Sequence, residues 1–150
     1  MAYSVIEQET LDLDLYLNDP KKRIHIASGG GRIPNRIAEF DSVIEEFKET
    51  VEEMSEVEEI EVNPNLIELL NLNENSLQTY LESFLDRARK GFYSYDKTKL
   101  ENKQDYTFHL VAKPKDDQTF QASNNDNLPK IDKVLPTDFK PFNLKEYTDE

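Results

Sequence analysis

Cysteine is absent from the chain, which excludes disulfide bonds, thiol catalysis and cysteine-ligated metal sites. A chain with no oxidisable thiol fits a reducing compartment, so a cytoplasmic location is expected. Tryptophan is also absent, and there are only two histidines and four glycines. Cations are scarce: 18 Lys and Arg stand against 31 Asp and Glu, a formal net charge of -13. A field of that sign repels polyanions, so direct binding to nucleic acid or to an anionic membrane surface is not expected. No apolar run approaches the length of a membrane span, and the opening residues, Met1 to Glu9, carry neither the basic nor the apolar region of a secretory signal. Neither export by that route nor membrane insertion is therefore expected.

What the chain does contain is hydrophobic periodicity, enough at 150 residues to close one core. Leu11, Leu13, Leu15 and Leu17 alternate with polar residues, the spacing of a half-buried strand with its leucines facing the core. Asn18-Asp19-Pro20-Lys21 is a turn, and Arg23 to Ser28 alternates again, which predicts a β-hairpin. Placing Ile24 and Ile26 on the leucine side leaves two registers, one setting Asp14 opposite His25 and the other Tyr16. In both, His25 lies on the polar face.

After Gly29-Gly30-Gly31 the apolar positions Ile37, Phe40, Ile44, Phe47, Val51 and Met54 predict a helix of about five turns. Glu59 to Val62 is compatible with a short strand, and Leu66 to Leu70 with a short helix. A second long helix is expected from Ser76 as N-cap, burying Leu77, Tyr80, Leu81, Phe84, Leu85 and Ala88 and stopping at Gly91. Phe92 to Tyr95 reads as an aromatic turn, and Tyr106 to Ala112 as a last, interior strand. The expected class is α+β: a three- or four-stranded, mostly antiparallel sheet in residues 1–112, packed on one face by the two long helices. Residues 113–150, rich in Pro, Asn and Asp, read as an extended arm. Its spaced anchors Ile131, Val134, Leu135, Phe139, Phe142, Leu144 and Tyr147 suit draping over the domain, docking into a partner groove, or joining copies of the chain.

The strongest chemical feature is the acidic stretch from Glu39 to Glu61. Lys48 is the only cation between Ile37 and Glu59, so like charges crowd the first long helix at a cost in self-repulsion. Such a face attracts a basic partner over long range. Glu45, Glu49, Glu52, Glu53 and Glu56 are the candidate partner-binding residues; the bland alternative is a solvated, solubilising face. The expected function is a non-enzymatic acidic adaptor, inhibitor or immunity-type protein that engages a basic protein, a DNA-mimicking inhibitor being one form of it.

The competing class is a small enzyme or phosphate-binding protein. Gly29, Gly30, Gly31 and Arg32, between a strand and a helix, are a candidate anion site, because free backbone N–H groups favour phosphate there. Neither Lys-Ser nor Lys-Thr follows the glycines, and G-x-G-x-x-G is absent, so a flexible bend is the simpler account. His25, Asp14 and Tyr16, with His109 on the last strand, are candidates for acid/base work, or ordinary cross-strand neighbours on a sheet face. No G-x-S-x-G surrounds Ser28, no H-E-x-x-H occurs, and Asp12-x-Asp14 lacks the other ligands of a calcium loop. No metal or cofactor is expected.

Overall fold

The segment before the first alternating run forms a helix, α1 (Val5–Thr10), in the computed structural model, which describes residues 2–57, 59–115 and 127–150. Its start is a capping box. Ser4 Oγ accepts the Glu7 N–H at 3.1 Å and the Glu7 carboxylate accepts the Ser4 N–H at 3.0 Å. Leu11 is the C-cap of this helix and is 49 % exposed, not part of the core-facing row. The strand begins three residues later.

β1 (Asp14–Asn18) and β2 (Arg23–Ala27) make the expected hairpin, in the register that sets Tyr16 opposite His25. Leu13, Leu15, Leu17, Ile24 and Ile26 are buried, but so are Tyr16 and His25: both faces of the hairpin are covered. The continuous helix expected from Ile37 to Met54 is two helices, α2 (Asn35–Ala38) and α3 (Asp41–Glu52). Phe40 leaves the helical region (φ -102, ψ 28), and the Ala38 carbonyl accepts the Tyr3 N–H at 2.9 Å. The apolar stripe survives the break, with Ile37, Ile44 and Val51 buried and Phe40, Phe47 and Met54 half-buried against the same core.

β3 (Ile60–Val62) and α4 (Leu66–Leu70) occur where expected. α5 (Glu74–Arg89) starts one turn before Ser76. Asn73 is its N-cap, its side chain accepting the Ser76 N–H at 2.8 Å while Ser76 Oγ accepts the Asn73 N–H at 2.9 Å. Gly91, at φ +94, follows it as anticipated. The aromatic run 92–95 is a strand rather than a turn: β4 (Phe92–Lys97) lies at the centre of the sheet, parallel to β2 and antiparallel to β5 (Thr107–Pro114). β6 (Phe142–Asn143) and α6 (Lys145–Thr148) complete the chain. Among the described residues the sheet has six strands, ordered β1-β2-β4-β5-β3, and β3 and β6 share the remaining edge of β5. It is mixed but mostly antiparallel, and the class is α+β.

Both long helices cover one face. Phe47 of α3 packs its ring 5.5 Å from Tyr16 and 6.3 Å from Phe92, and Phe84 of α5 lies 6.1 Å from His25. The second face, carrying Leu15, Leu17, Ile24, Ile26 and Tyr95, is covered from the C-terminal segment. Tyr95 donates its hydroxyl to the Pro136 carbonyl at 2.9 Å and meets the Phe142 ring edge-on, and Leu128, Ile131, Leu135 and Leu144 are buried in the same core. Of the dispositions open to the segment from Lys113 onward, residues 127–150 thus take the one against their own domain, and β5 itself runs on to Pro114; residues 116–126 lie outside the described residues. No helix among the described residues is long and apolar enough to cross a membrane.

Candidate functional site

The acidic face is narrower than its sequence run. Glu45 is engaged internally: its carboxylate accepts the Tyr3 hydroxyl at 2.6 Å and pairs with Lys48 at 2.8 Å. Partial burial opposes its charge, but the bonds from Lys48 and Tyr3 outweigh that and hold its pKa below the ordinary value. At the far end Glu59 pairs with Lys115 and Glu61 with Lys113. Between them Glu46, Glu49, Glu52, Glu53 and Glu56 are exposed and form no ion pair among the described residues. Glu49 and Glu52 sit in the last turn of α3, Glu53 is its C-cap, and Glu56 lies in the irregular stretch beyond. Negative charge at a helix C-terminus opposes the dipole, and no cation occupies that turn.

Beside this face, between α1 and the start of α3, is a cavity of about 550 Å³ walled by Glu7, Asp12, Asp41 and Glu45 around Lys48. Asp41 Oδ1 itself is buried and has no hydrogen-bond donor among the described residues. Sequence inspection missed this cavity because α1 carries too few apolar positions to show a period.

The glycine bend is occupied by the protein itself. Gly29 and Gly30 have φ of +63 and +72, and Gly29 N–H donates to the Asp12 carboxylate at 2.9 Å. Gly31 N–H donates to the Ser28 carbonyl and Arg32 N–H to the Lys103 carbonyl at 2.7 Å. The α2 N-terminus, four residues from the bend, holds the Glu150 carboxylate through the N–H groups of Asn35 and Arg36. The fully buried Lys97 side chain leaves no room at Gly31, where a Cβ would stand 2.7 Å from its Cε, and Leu100 leaves none at Gly29, where a Cβ would stand 2.6 Å from its Cδ2. Burial lowers the Lys97 pKa, and its ammonium donates to the Asp105 carbonyl.

His25, Asp14 and Tyr16 do come together, but under the helices rather than on an open polar face. His25 Nδ1 lies 2.6 Å from Ser94 Oγ, and Nε2 lies 2.8 Å from Asp14 Oδ1. Complete burial pushes the His25 pKa down, against the pull of Asp14, so the ring is neutral, donates from Nε2 to Asp14 and accepts the Ser94 hydroxyl. Arg87 of α5 donates to the Tyr16 hydroxyl at 2.9 Å and stands 3.6 Å from Asp14. A serine, a histidine and an aspartate in line have the composition of a nucleophilic triad, yet Ser94 and His25 are both fully buried, and the hydroxyl has no room for a substrate. Their bonds satisfy polar groups in a layer between sheet and helix.

His109 joins a separate set. Its Nε2 is 3.1 Å from the Tyr80 hydroxyl, which also lies 2.6 Å from Asp96 Oδ2, and its Nδ1 is 2.8 Å from Thr98 Oγ1. Burial lifts the Asp96 pKa from 3.8 to about 7 and lowers that of His109 from 6.5 to about 4. The two therefore act oppositely on stability. Between about pH 4 and 7 the folded protein keeps a proton on Asp96 that the unfolded chain has released, so that contribution falls as pH rises. Between about pH 4 and 6.5 the unfolded chain holds a proton on His109 that the folded protein lacks, so that contribution rises. Asp96→Asn is expected to remove the falling limb: its stability relative to the parent should climb by up to about 1.4 kcal/mol per pH unit across the acid range and level off above neutrality. Urea unfolding at a series of pH values measures this. A constant difference between the two proteins would refute it.

Among the described residues no group of three or more His, Asp or Glu side chains is placed to hold a metal ion. Comparison with protein families, with curated proteins and with solved structures finds no match to the chain.

Proposed function

We propose that the protein is a non-enzymatic acidic binding module, an adaptor, inhibitor or immunity-type protein of the cytoplasm, that engages a basic protein partner through the face from Glu46 to Glu56. The observation that carries this is the placement of Glu49, Glu52 and Glu53 at the negative end of α3, with no cation in that turn and no ion pair to them among the described residues. Charge set against a helix dipole lowers stability. A basic partner would turn the same charge into attraction, raising the association rate more than the affinity. The cavity beside it, with Glu7, Asp12, Asp41 and Glu45 in its wall, extends the acidic surface. The competing enzyme class draws less support, because the backbone donors of Gly29, Gly31 and Arg32 are taken and His25 is sealed.

Two variants of equal net charge test the proposal. One changes Glu46, Glu49, Glu52, Glu53 and Glu56 to Gln; the other changes the exposed Glu68, Glu74, Glu82, Glu101 and Glu146 to Gln. In retention from native lysate at low and moderate salt, the parent and the second variant are expected to hold the same basic partner, more weakly as salt rises, and the first to lose it. Equal retention by both variants would reduce the face to a solubilising one. Equal loss would assign the effect to net charge alone.

A further inference from the structure

Asp96, Tyr80, His109 and Thr98 form an unbroken chain of side-chain hydrogen bonds from the interior towards solvent. Asp96 (β4) and His109 (β5) are buried, while Tyr80 (α5) and Thr98, which follows β4, are partly exposed. None of the four belongs to the acidic face or to the glycine bend.

The Tyr80 hydroxyl carries one proton and stands within bonding distance of both Asp96 Oδ2 and His109 Nε2. It donates to one and accepts from the other, and that choice propagates. With Asp96 ionised, Tyr80 donates to the carboxylate, His109 donates from Nε2 to the Tyr80 oxygen, and Thr98 donates to Nδ1. With Asp96 protonated every bond reverses: the carboxyl donates to Tyr80, Tyr80 donates to Nε2, and Nδ1 donates to Thr98. Both arrangements satisfy all the polar atoms of the chain with the same heavy-atom positions, and they differ by one proton.

We propose that these four residues are a proton relay, a pH-responsive device that carries a proton between solvent at Thr98 and the carboxyl of Asp96. On uptake, Thr98 gains a proton from solvent as its own passes to His109 Nδ1. The Nε2 proton passes to the Tyr80 oxygen, and the Tyr80 proton to Asp96 Oδ2. One proton enters and one O–H bond is added, and His109 remains neutral throughout, changing only the nitrogen that bears hydrogen. Burial supports both conditions, since it places the Asp96 titration at about 7 and keeps the imidazole from charging until about 4. The other groups acting on Asp96 are Tyr80 from α5, which favours the charged form, Asp12 before β1, which opposes it, and Lys97 on its own strand, which favours it. On β2 the facing residue is Ala27, which carries no charge. Ionisation of Asp96 is transmitted as repulsion to Asp12, whose carboxylate holds Gly29 N–H and walls the acidic cavity.

The test is an NMR titration of the full chain, labelled with carbon-13 and nitrogen-15. The Asp96 carboxyl carbon reports its proton, and the side-chain nitrogens of His109 report the tautomer. The expected result is a single shared midpoint, with hydrogen on Nδ1 below it and on Nε2 above it. In Tyr80→Phe, whose amide spectrum checks that the fold is kept, the His109 tautomer should cease to follow Asp96. A His109 tautomer that stays the same in the parent while Asp96 titrates would overturn the relay. So would a tautomer exchange that survives unchanged in folded Tyr80→Phe.

Discussion

A chain stopped at Lys115 is expected not to fold. It would lack Leu128, Ile131, Leu135 and Leu144, all buried in the main core, and the half-buried Phe142 and Tyr147 packed against it. Burying a Leu or Ile side chain contributes about 1.5–3 kcal/mol, so the four together contribute about 6–12 kcal/mol. That is comparable to the whole stability of an ordinary domain, about 5–15 kcal/mol. Polar losses add to it. Asn18 N–H would lose the Pro129 carbonyl, Ile131 N–H would no longer bond the Asn18 carbonyl, and Lys22 would lose the Leu135 carbonyl. Circular dichroism and heteronuclear spectra of residues 1–115 should show no cooperative thermal transition and narrow amide dispersion. A truncated chain that melts cooperatively near the parent temperature would make the segment peripheral.

Asp19→Ala is expected to cost about 3–5 kcal/mol, the range for breaking a buried ion pair. Asp19 is 3 % exposed and Lys22 5 %. The Asp19 carboxylate accepts the N–H groups of Lys21, Lys22 and Leu135 at 2.8–3.0 Å and pairs with the Lys22 ammonium, which also donates to the Leu135 carbonyl. The variant leaves that ammonium buried without its counter-charge. Adding Lys22→Met should restore part of the loss, because the charge, rather than the missing contact, is the larger penalty. Burial already lowers the Lys22 pKa against the pull of Asp19, so in Asp19→Ala the amine sheds its proton more readily and the deficit should shrink as pH rises. Urea unfolding of parent, single and double variants measures both effects. A double variant less stable than Asp19→Ala would contradict this account.

The same pair shows why part of the fold could not be read from the chain. Asn18-Asp19-Pro20-Lys21 has ordinary turn chemistry, and nothing in it marks Asp19 or the neighbouring Lys22 as buried. The hairpin tip is nevertheless covered by residues 129–135, and nothing local marks contacts made 111 or more residues away. The hairpin, the short helix at Leu66 and the stop at Gly91 were legible, because each is set by neighbouring residues. β4 was not: with α5 on one side and the C-terminal segment on the other, Phe92 to Lys97 is nearly all buried and shows no apolar-polar alternation. The candidate site was legible in composition and only partly in position. The run of glutamates is plain, but the removal of Glu45 from the free set depends on Tyr3, 42 residues earlier. His25 and Asp14 are neighbours, as either register allowed, but the burial of His25 is not legible, because an alternating strand reads alike whether its polar face meets water or a helix.

The parallel pairing of β2 with β4 and the closure of the sheet by residues 127–144 have a further consequence, for how the protein is made. β2 must wait for a partner about 70 residues on, and Asp19 for one 116 residues on. At a synthesis rate of roughly 5–20 residues per second, the hairpin spends roughly 6–23 seconds outside the ribosome with Leu15, Leu17, Ile24 and Ile26 uncovered. Contacts this distant in sequence fold slowly once complete. The nascent chain is therefore expected to expose this apolar surface until the last quarter has emerged, and its dense negative charge helps keep the unfinished chains apart.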